Sequence, residues 1–480
     1  MQDKNFLGFL VGATSSGSGK TLITCALLRI LEKKGYKPAS FKCGPDYIDP
    51  MFHKKVLGIP ARNLDIFLAG EDGIKSELSK GALGRDICVA EGVMGLFDGS
   101  GASSYKGSSY EISEITGLPI ILVVNCKGMS HSVIPLVKGF CDYDMEGRIE
   151  GRIKGIILNN LSPMIADTII EAVENAVKTK VLGYLPPIKD LSIASRHLGL
   201  IMPSEIPEVL AEIDRVSEKL EEHLDITKLI EIAGYWEAEG LRNQNGHIIT
   251  STNYQYTDNN ALTDSGKENM PSEKIRIGIA MDEAFSFYYE ANLDLLKEKG
   301  AEIVPFSPIH DKQIPDVSRL IIGGGYPELY AADLAQNTSM MRSIRAAANA
   351  GMPILAECGG FLYLLESLTD MDGKEHKMTG IFSGKSHYTG KLSHFGYVNV
   401  IASEKNPYLC DNEIVRAHEF HYYDTSDNGS VCNISKPGKN RSWQGYRQKG
   451  NVFAGFAHLY YPSCEAFIDR FLRINTREYN

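Results

Sequence analysis

Short unbroken apolar runs alternate along this chain with segments whose apolar residues return every three or four positions. The runs at 6–11, 38–42, 86–91, 119–124, 154–158 and 181–184 read as strands. Helical spacing fills several intervals between them, most clearly at 22–31, 129–140 and 164–178. Unbroken apolar strands separated by helices predict a mostly parallel sheet covered on both faces. Residues 205–233 read as helices rich in Glu, Leu and Ile. The rhythm then stops. Residues 239–273 are rich in Asn, Ser, Thr, Asp and Gly, without a period, and read as a polar inter-domain linker. Strand 275–281, helix 284–299 and strands 301–306 and 318–322 then open a second α/β domain. The polar stretch 424–442 reads as a hairpin or loop excursion. The expected organisation is a domain over 1–238, a linker over 239–273 and a domain over 274–480.

At 480 residues the chain is too long for one ordinary core, and two domains absorb that length. A formal net charge of −10, with no Lys/Arg block, argues against a nucleic-acid surface. The longest apolar run, 118–124, is far below a membrane span, and the first residues are too briefly apolar for a secretory signal. Nine scattered cysteines without a C-x-x-C pair point to a reducing compartment, not a disulfide framework or zinc site. A cytoplasmic enzyme, engaging neither nucleic acid nor membrane, is the expected class.

The chemistry starts at 12–21, GATSSGSGKT, between the first strand and the first helix. That layout is a phosphate-binding P-loop. Gly17, Ser18 and Gly19 let backbone N–H groups curl around phosphate oxygens at a helix N-terminus. Lys20 would reach the β- and γ-phosphates of ATP, and the Thr21 hydroxyl would sit on Mg²⁺. The strict pattern has glycine where Thr14 stands. Residues 44–50, GPDYIDP, project Asp46 and Asp49, with Tyr47 between them, from a proline-fixed loop after a strand. Residues 91–99, EGVMGLFDG, put Glu91 at the end of an apolar strand and Asp98 on a glycine-flanked loop. A buried carboxylate at such an end is costly unless a metal or cation pairs with it. Thr21, Glu91 and Asp98 are therefore the candidate Mg²⁺ set. Asn159, after strand 154–158, is placed to offer its amide to adenine, with 183–187 as a wall for the base. Ser15 stands where partition and cell-division ATPases carry a second lysine, which weakens a dimerising-switch reading.

In the second half, PILAECGG at 353–360 delivers Cys358 from an apolar strand to a Gly-Gly turn, followed by a helical pattern at 361–368. Strand, nucleophile and helix in that order resemble a nucleophile elbow. N–H groups of the turn, Gly359 among them, depress a thiol pKa and help hold an oxyanion. Gly324 and Gly325, in the glycine run 323–325 that ends another strand, can turn further N–H groups the same way. A strand reading at 452–458 ends in His458, so Cys358 and His458 form a candidate nucleophile–base pair. HEFH at 418–421 has its histidines at i and i+3, not i and i+4, and sits on a strand pattern, which argues against zinc. Polar and aromatic residues at 385–388 and 394–397 suit contact with a large, flat, carboxylate-bearing ligand.

GATSSGSGKT, FKCGPDYIDP, EGVMGLFDG, SRHLGL (195–200), GGGYPE, ECGG and HEFHY occur here in the order of the cobyrinic acid a,c-diamide synthase family, which the chain resembles over nearly its full length. The resemblance implies a P-loop, dethiobiotin-synthetase-like ATP domain followed by a class I glutamine amidotransferase-like domain. It implies that ATP phosphorylates peripheral carboxylates of a corrinoid and that ammonia from L-glutamine displaces phosphate. Lys20 and Thr21 then serve the triphosphate and Mg²⁺, Glu91 and Asp98 the acidic motif, and Asp46, Tyr47 and Asp49 the corrinoid side. Cys358 would form the γ-glutamyl thioester with His458 as acid–base partner. Two ATP and two glutamines are expected for the c and then the a carboxylate, and a homodimer is left open. One departure stands out: many class I amidotransferases carry Glu two residues after the catalytic His, and Tyr460 stands there. Sister ligases for hydrogenobyrinic acid or nickel-sirohydrochlorin, cobyric acid synthase, and a P-loop switch or scaffold with a vestigial amidotransferase domain are the competing readings.

Overall fold

The computed structural model describes residues 7–101, 104–145, 151–191, 206–234 and 274–474. The expected linker at 239–273 and the SRHLGL motif at 195–200 lie outside these residues. The chain divides into two compact units, Met1–Thr257 and Asp258–Asn480. No helix among the described residues is long and apolar enough to cross a membrane.

The first unit runs β1 (Leu7–Ala13), α1 (Lys20–Lys33), β2 (Pro38–Cys43), α2 (Ile48–Val56), β3 (Ala61–Leu64), α3 (Ile66–Ala82), β4 (Ile87–Glu91), α4 (Ser109–Thr116), β5 (Ile120–Asn125), α5 (Val133–Met145), β6 (Ile153–Asn159), α6 (Ala166–Ala176), β7 (Lys180–Leu185), α7 (Ile206–Glu221) and α8 (Ile226–Gly234). Its sheet has the order β3-β2-β4-β1-β5-β6-β7, parallel throughout. Alternation along β1 explains the two layers. Leu10 belongs to the same buried core as Ile74, Leu78, Val137 and Ile169 of the helices on one face. Phe9 and Val11 pack with Leu27, Ile213 and Leu229 on the other. Each such side chain stabilises the sheet by roughly 1.5–3 kcal/mol. The C-terminal ends of β1, β2, β4 and β6 carry the P-loop, the Asp46 loop, Glu91 and Asn159 to one edge, the ligand edge of open α/β sheets.

The second unit begins β8 (Arg276–Ala280), α9 (Glu290–Glu298), β9 (Glu302–Phe306), β10 (Arg319–Ile322), α10 (Ala331–Gln336), α11 (Thr338–Asn349), β11 (Ile354–Glu357) and α12 (Gly359–Leu364). It continues with β12 (Ser367–Thr369), β13 (Glu375–Lys377), β14 (Lys385–Ala402), β15 (Ile414–Thr425), β16 (Cys432–Ser435), β17 (Ser442–Gly445), β18 (Arg447–Lys449), β19 (Val452–Gly455), β20 (His458–Leu459) and α13 (Glu465–Arg473). One sheet has the order β18-β19-β11-β10-β8-β9, parallel except at β18. A second sheet, β13-β12-β14-β15-β20, is mostly antiparallel, with the β16–β17 hairpin added on β14.

Three local expectations change here. The helix anticipated over 284–299 starts only at Glu290, because Asp282 Oδ1 accepts from the Ala284 and Phe285 N–H groups and Phe287 bridges Gly324. The helix anticipated over 361–368 ends at Leu364, where the chain turns extended at Leu365 and Ser367–Thr369 pairs with two strands. The single strand anticipated over 452–458 is two strands in different sheets, β19 beside β11 and β20 beside β15. The stretch 424–442 does contain a hairpin turn, between β16 and β17.

Candidate active sites

At the P-loop, Gly17 (φ 74°) and Gly19 (φ 88°) occupy the left-handed region, a conformation that other residues reach only with strain. A Cβ on Gly19 would lie 2.3 Å from Asn159 Nδ2. That amide donates to the Ser18 carbonyl at 2.9 Å, so the structure places Asn159 against the back of the loop. Lys20 Nζ spans the loop mouth, donating to the Met94 carbonyl and to that of Ser15 at 3.4 Å. Burial and the neighbouring Lys42 lower its pKa. Tyr184, expected in a wall for adenine, stacks on His223 at 4.2 Å.

The carboxylates gather around Lys42, near the end of β2. Thr21 Oγ1 donates to Glu91 Oε1 at 2.6 Å, and Lys42 Nζ donates to the same oxygen at 2.7 Å. Lys42 also reaches Asp49 Oδ2 at 2.5 Å. All three charged groups are buried. Burial raises Glu91 to about 7 against the pull of Lys42. Burial also works on Asp49, but Lys42 outweighs it and holds that carboxyl below its ordinary value. One ammonium for two carboxylates leaves a negative charge to be answered. Glu91 Oε2 is buried, has no hydrogen-bond partner among the described residues, and lies 3.8 Å from His53 Nε2. Burial keeps His53 neutral, near 4, and its Nδ1 engages Ser40 Oγ at 2.7 Å. A hydroxyl plus an orphaned carboxylate oxygen beside a P-loop is a donor set that fits Mg²⁺.

The other expected acids are placed differently. Asp46 Oδ1 caps the turn into α2, accepting from the Ile48 N–H at 2.7 Å, and burial with the charge of Asp49 raises it to about 6. Tyr47 is buried at the start of that helix. Asp98 is exposed; its Oδ2 accepts from the Gly95 N–H at 2.8 Å, within its own loop. It lines a cavity of about 750 Å³ with Phe97, Tyr105 and Tyr143, and its charge acts on Lys20.

In the second unit, Cys358 stands between β11 and α12 at φ 48°, ψ −107°, a strained turn for a residue with a Cβ. Its N–H donates to the Gly455 carbonyl at 2.8 Å, and the Gly360 N–H donates to that of Gly323 at 3.0 Å. A Cβ on Gly324 would lie 2.2 Å from His458 Cε1, and one on Gly359 would lie 3.1 Å from the Gly325 nitrogen. Gly324, Gly325, Gly359, Cys358 and His458 therefore meet at one place. Burial, then the charge of Glu328, drives the Cys358 thiol upward. Burial lowers His458 to about 3. Burial thus favours the neutral form of both the thiol and the imidazole. Tyr460 packs edge-on against Tyr289, and His418 stands directly across the ladder from His458. His394 stacks on Trp443 at 4.1 Å, with Lys436 and Arg441 over the same ring.

The residue pattern gives no role to Lys42 or His53, and it reads Glu419 and His421 only within a motif unsuited to zinc and as part of HEFHY. Lys42 had a signal, a lone cation inside the apolar strand PASFKC, six residues that are all buried. Glu419 and His421 also had one, since alternate strand positions share a face.

Fold and sites together define a P-loop nucleotide-binding protein joined to a glutamine amidotransferase. Residues 9–200 match the family model described as the CobQ/CobB/MinD/ParA nucleotide binding domain, and residues 276–465 match the CobB/CobQ-like glutamine amidotransferase domain. The chain is 36% identical over 458 residues to a cobyrinate a,c-diamide synthase of Listeria innocua, covering 94% of this chain and 96% of the relative. It is 37% identical over 455 residues to one of Clostridium tetani, with 94% and 96% coverage. For one of Salmonella typhimurium the identity is 34% over 479 residues, with 97% of each chain covered. The chain belongs to the cobyrinate a,c-diamide synthase family.

Proposed function

We propose that this protein is a cytoplasmic carbon–nitrogen ligase that amidates the a and c carboxylates of cobyrinic acid, using ATP and L-glutamine. One observation carries the reading. Lys42 ties Asp49 of the carboxylate-bearing loop to Glu91, and Glu91 is tied to Thr21 of the P-loop, in one buried network. A loop suited to the acid to be activated and a loop suited to the γ-phosphate thus share their electrostatics.

In this reading Lys20 and the P-loop N–H groups hold the triphosphate, and Thr21 and Glu91 would hold Mg²⁺, which neutralises phosphate charge when bound. A corrinoid carboxylate oxygen attacks the γ-phosphorus and ADP leaves, giving an acyl phosphate. Asp46, Tyr47 and Asp49 border that carboxylate. In the second unit His458 takes the Cys358 proton as sulfur attacks the glutamine amide carbon. The proton passes to the departing ammonia, and water later releases glutamate from the thioester. Ammonia attacks the acyl carbon and phosphate leaves. The resting neutral Cys358–His458 pair supports proton transfer in concert with attack.

The test is a panel of tetrapyrroles with ATP, Mg²⁺ and either glutamine or ammonium chloride, read by mass. Two successive carboxylate-to-amide changes on the cobalt corrinoid are expected. Cys358→Ser is expected to lose product from glutamine and to retain it from ammonium. Glutamine use at the wild-type rate by that variant would remove Cys358 from the mechanism.

A further inference from the structure

The charges acting on the Cys358 thiol are those of Glu328, Glu419 and Glu357, all acidic. Glu357 accepts the Tyr461 hydroxyl at 3.1 Å, and burial raises it to about 8. Burial raises Glu328 to about 7. Glu419 differs in its geometry. It lies in the middle of β15 with 2% of its surface exposed. Its Oε1 is 2.9 Å from His421 Nε2. His421 is itself fixed: Nδ1 is 2.5 Å from the Tyr423 carbonyl oxygen, and the ring stacks on Phe456 at 3.9 Å. The carboxylate is thus held rigidly by one oxygen. The other, Oε2, is buried and has no hydrogen-bond partner among the described residues. Leaving such an atom unanswered is costly, and it marks a place where a donor is missing. The neighbouring residue, Phe420, puts its carbonyl oxygen 4.0 Å from Cys358 Sγ. The orphan oxygen therefore belongs to the strand that touches the nucleophile.

We propose that Glu419 Oε2 receives the α-ammonium group of L-glutamine and so selects an α-amino acid as nitrogen donor. The substrate's amide carbon must reach Sγ, and its ammonium lies a short aliphatic chain away. A rigid buried carboxylate beside the nucleophile suits a cationic donor. Arrival of that cation also offsets the carboxylates that disfavour a thiolate at Cys358. His421 is the positioning residue that aims Glu419. This assignment rests on the glutaminase role given to Cys358.

The experiment measures ammonia release from L-glutamine and from glutaramate, the same ω-amide without the α-amino group. Rates are normalised to ammonium-driven synthesis by the same preparation. Wild type is expected to prefer glutamine in kcat/KM by at least about tenfold, as a site with an unsatisfied buried group rejects an analogue lacking its partner. Glu419→Gln is expected to bring that ratio near one, mainly by raising the glutamine KM. Wild type that treats both amides alike overturns the proposal without any variant. So does a Glu419→Gln protein that keeps the wild-type ratio. Cys358→Ser separates the two levels: if it still releases ammonia, the nucleophile assignment falls, whereas an unchanged Glu419→Gln ratio with an inactive Cys358→Ser removes only the role of Glu419.

Discussion

Lys42 is the residue whose loss should be felt most widely in the first unit. It stands between Glu91 and Asp49, at 2.7 and 2.5 Å, with every group in the trio buried. Removing one partner from such a set leaves charge without compensation, at a cost of about 3–5 kcal/mol. Lys42→Met should therefore lower the denaturant midpoint of this unit strongly. The deficit should depend on pH in a definite direction. Without the ammonium both carboxyl pKa values rise, so the folded state binds more protons than the unfolded one and stability falls as pH increases. Unfolding curves of wild type and Lys42→Met at pH 5 and pH 8 should differ least at the lower pH. An equal deficit at both values would mean that Lys42 acts through packing alone.

At the scale of elements, the second unit depends on close approach between the β10 turn and β20. Gly324 leaves room for His458 only because it lacks a Cβ, which would sit 2.2 Å from the imidazole. Gly324→Ala should push His458 out of line with Cys358. A displacement of about 1 Å in a catalytic group can cost about a hundredfold. The glutamine-driven rate should fall by that order while the ammonium-driven rate stays near wild type, in parallel assays on one preparation. Element boundaries also show what the residue pattern can carry. Strands such as β1 and β5 were legible because their apolar runs are unbroken and fully packed between layers. Helix α9 starts six residues later than its pattern predicts, because 284–289 has helical periodicity but N–H groups of 284–287 go to Asp282 and Gly324. The change of sheet between Gly455 and His458 left no mark in an apolar run continuous in sequence. The sharp turn at Cys358, by contrast, is legible in Cys-Gly-Gly, since a Cβ on Gly360 would lie 2.0 Å from the Ile322 carbonyl. Lys42 is not legible in the residue pattern because its role depends on two carboxylates that reach it from other segments.

For the whole molecule, the division into two compact units makes a claim about function that can be separated from fold. In the proposed reading, acid activation draws on Lys20, Thr21, Lys42 and Glu91, all in the first unit, and ammonia release on Cys358 and His458, both in the second. Lys20→Ala removes a cation held over the P-loop, while the loop keeps its glycine geometry and its brace from Asn159. It should abolish amide formation with glutamine and with ammonium alike, because both nitrogen sources need the same acyl phosphate. Glutamine hydrolysis without ATP should survive in that protein. Cys358→Ser should give the reverse pattern, as a nucleophile lost from the second unit leaves phosphoryl transfer untouched. Measuring glutamate release and amide product side by side distinguishes independent units from coupled ones. If Lys20→Ala also silences hydrolysis, the glutaminase waits for a loaded P-loop, and the two units exchange a coupling free energy. That outcome would make nucleotide occupancy, not the Cys358–His458 geometry alone, the factor that licenses ammonia release.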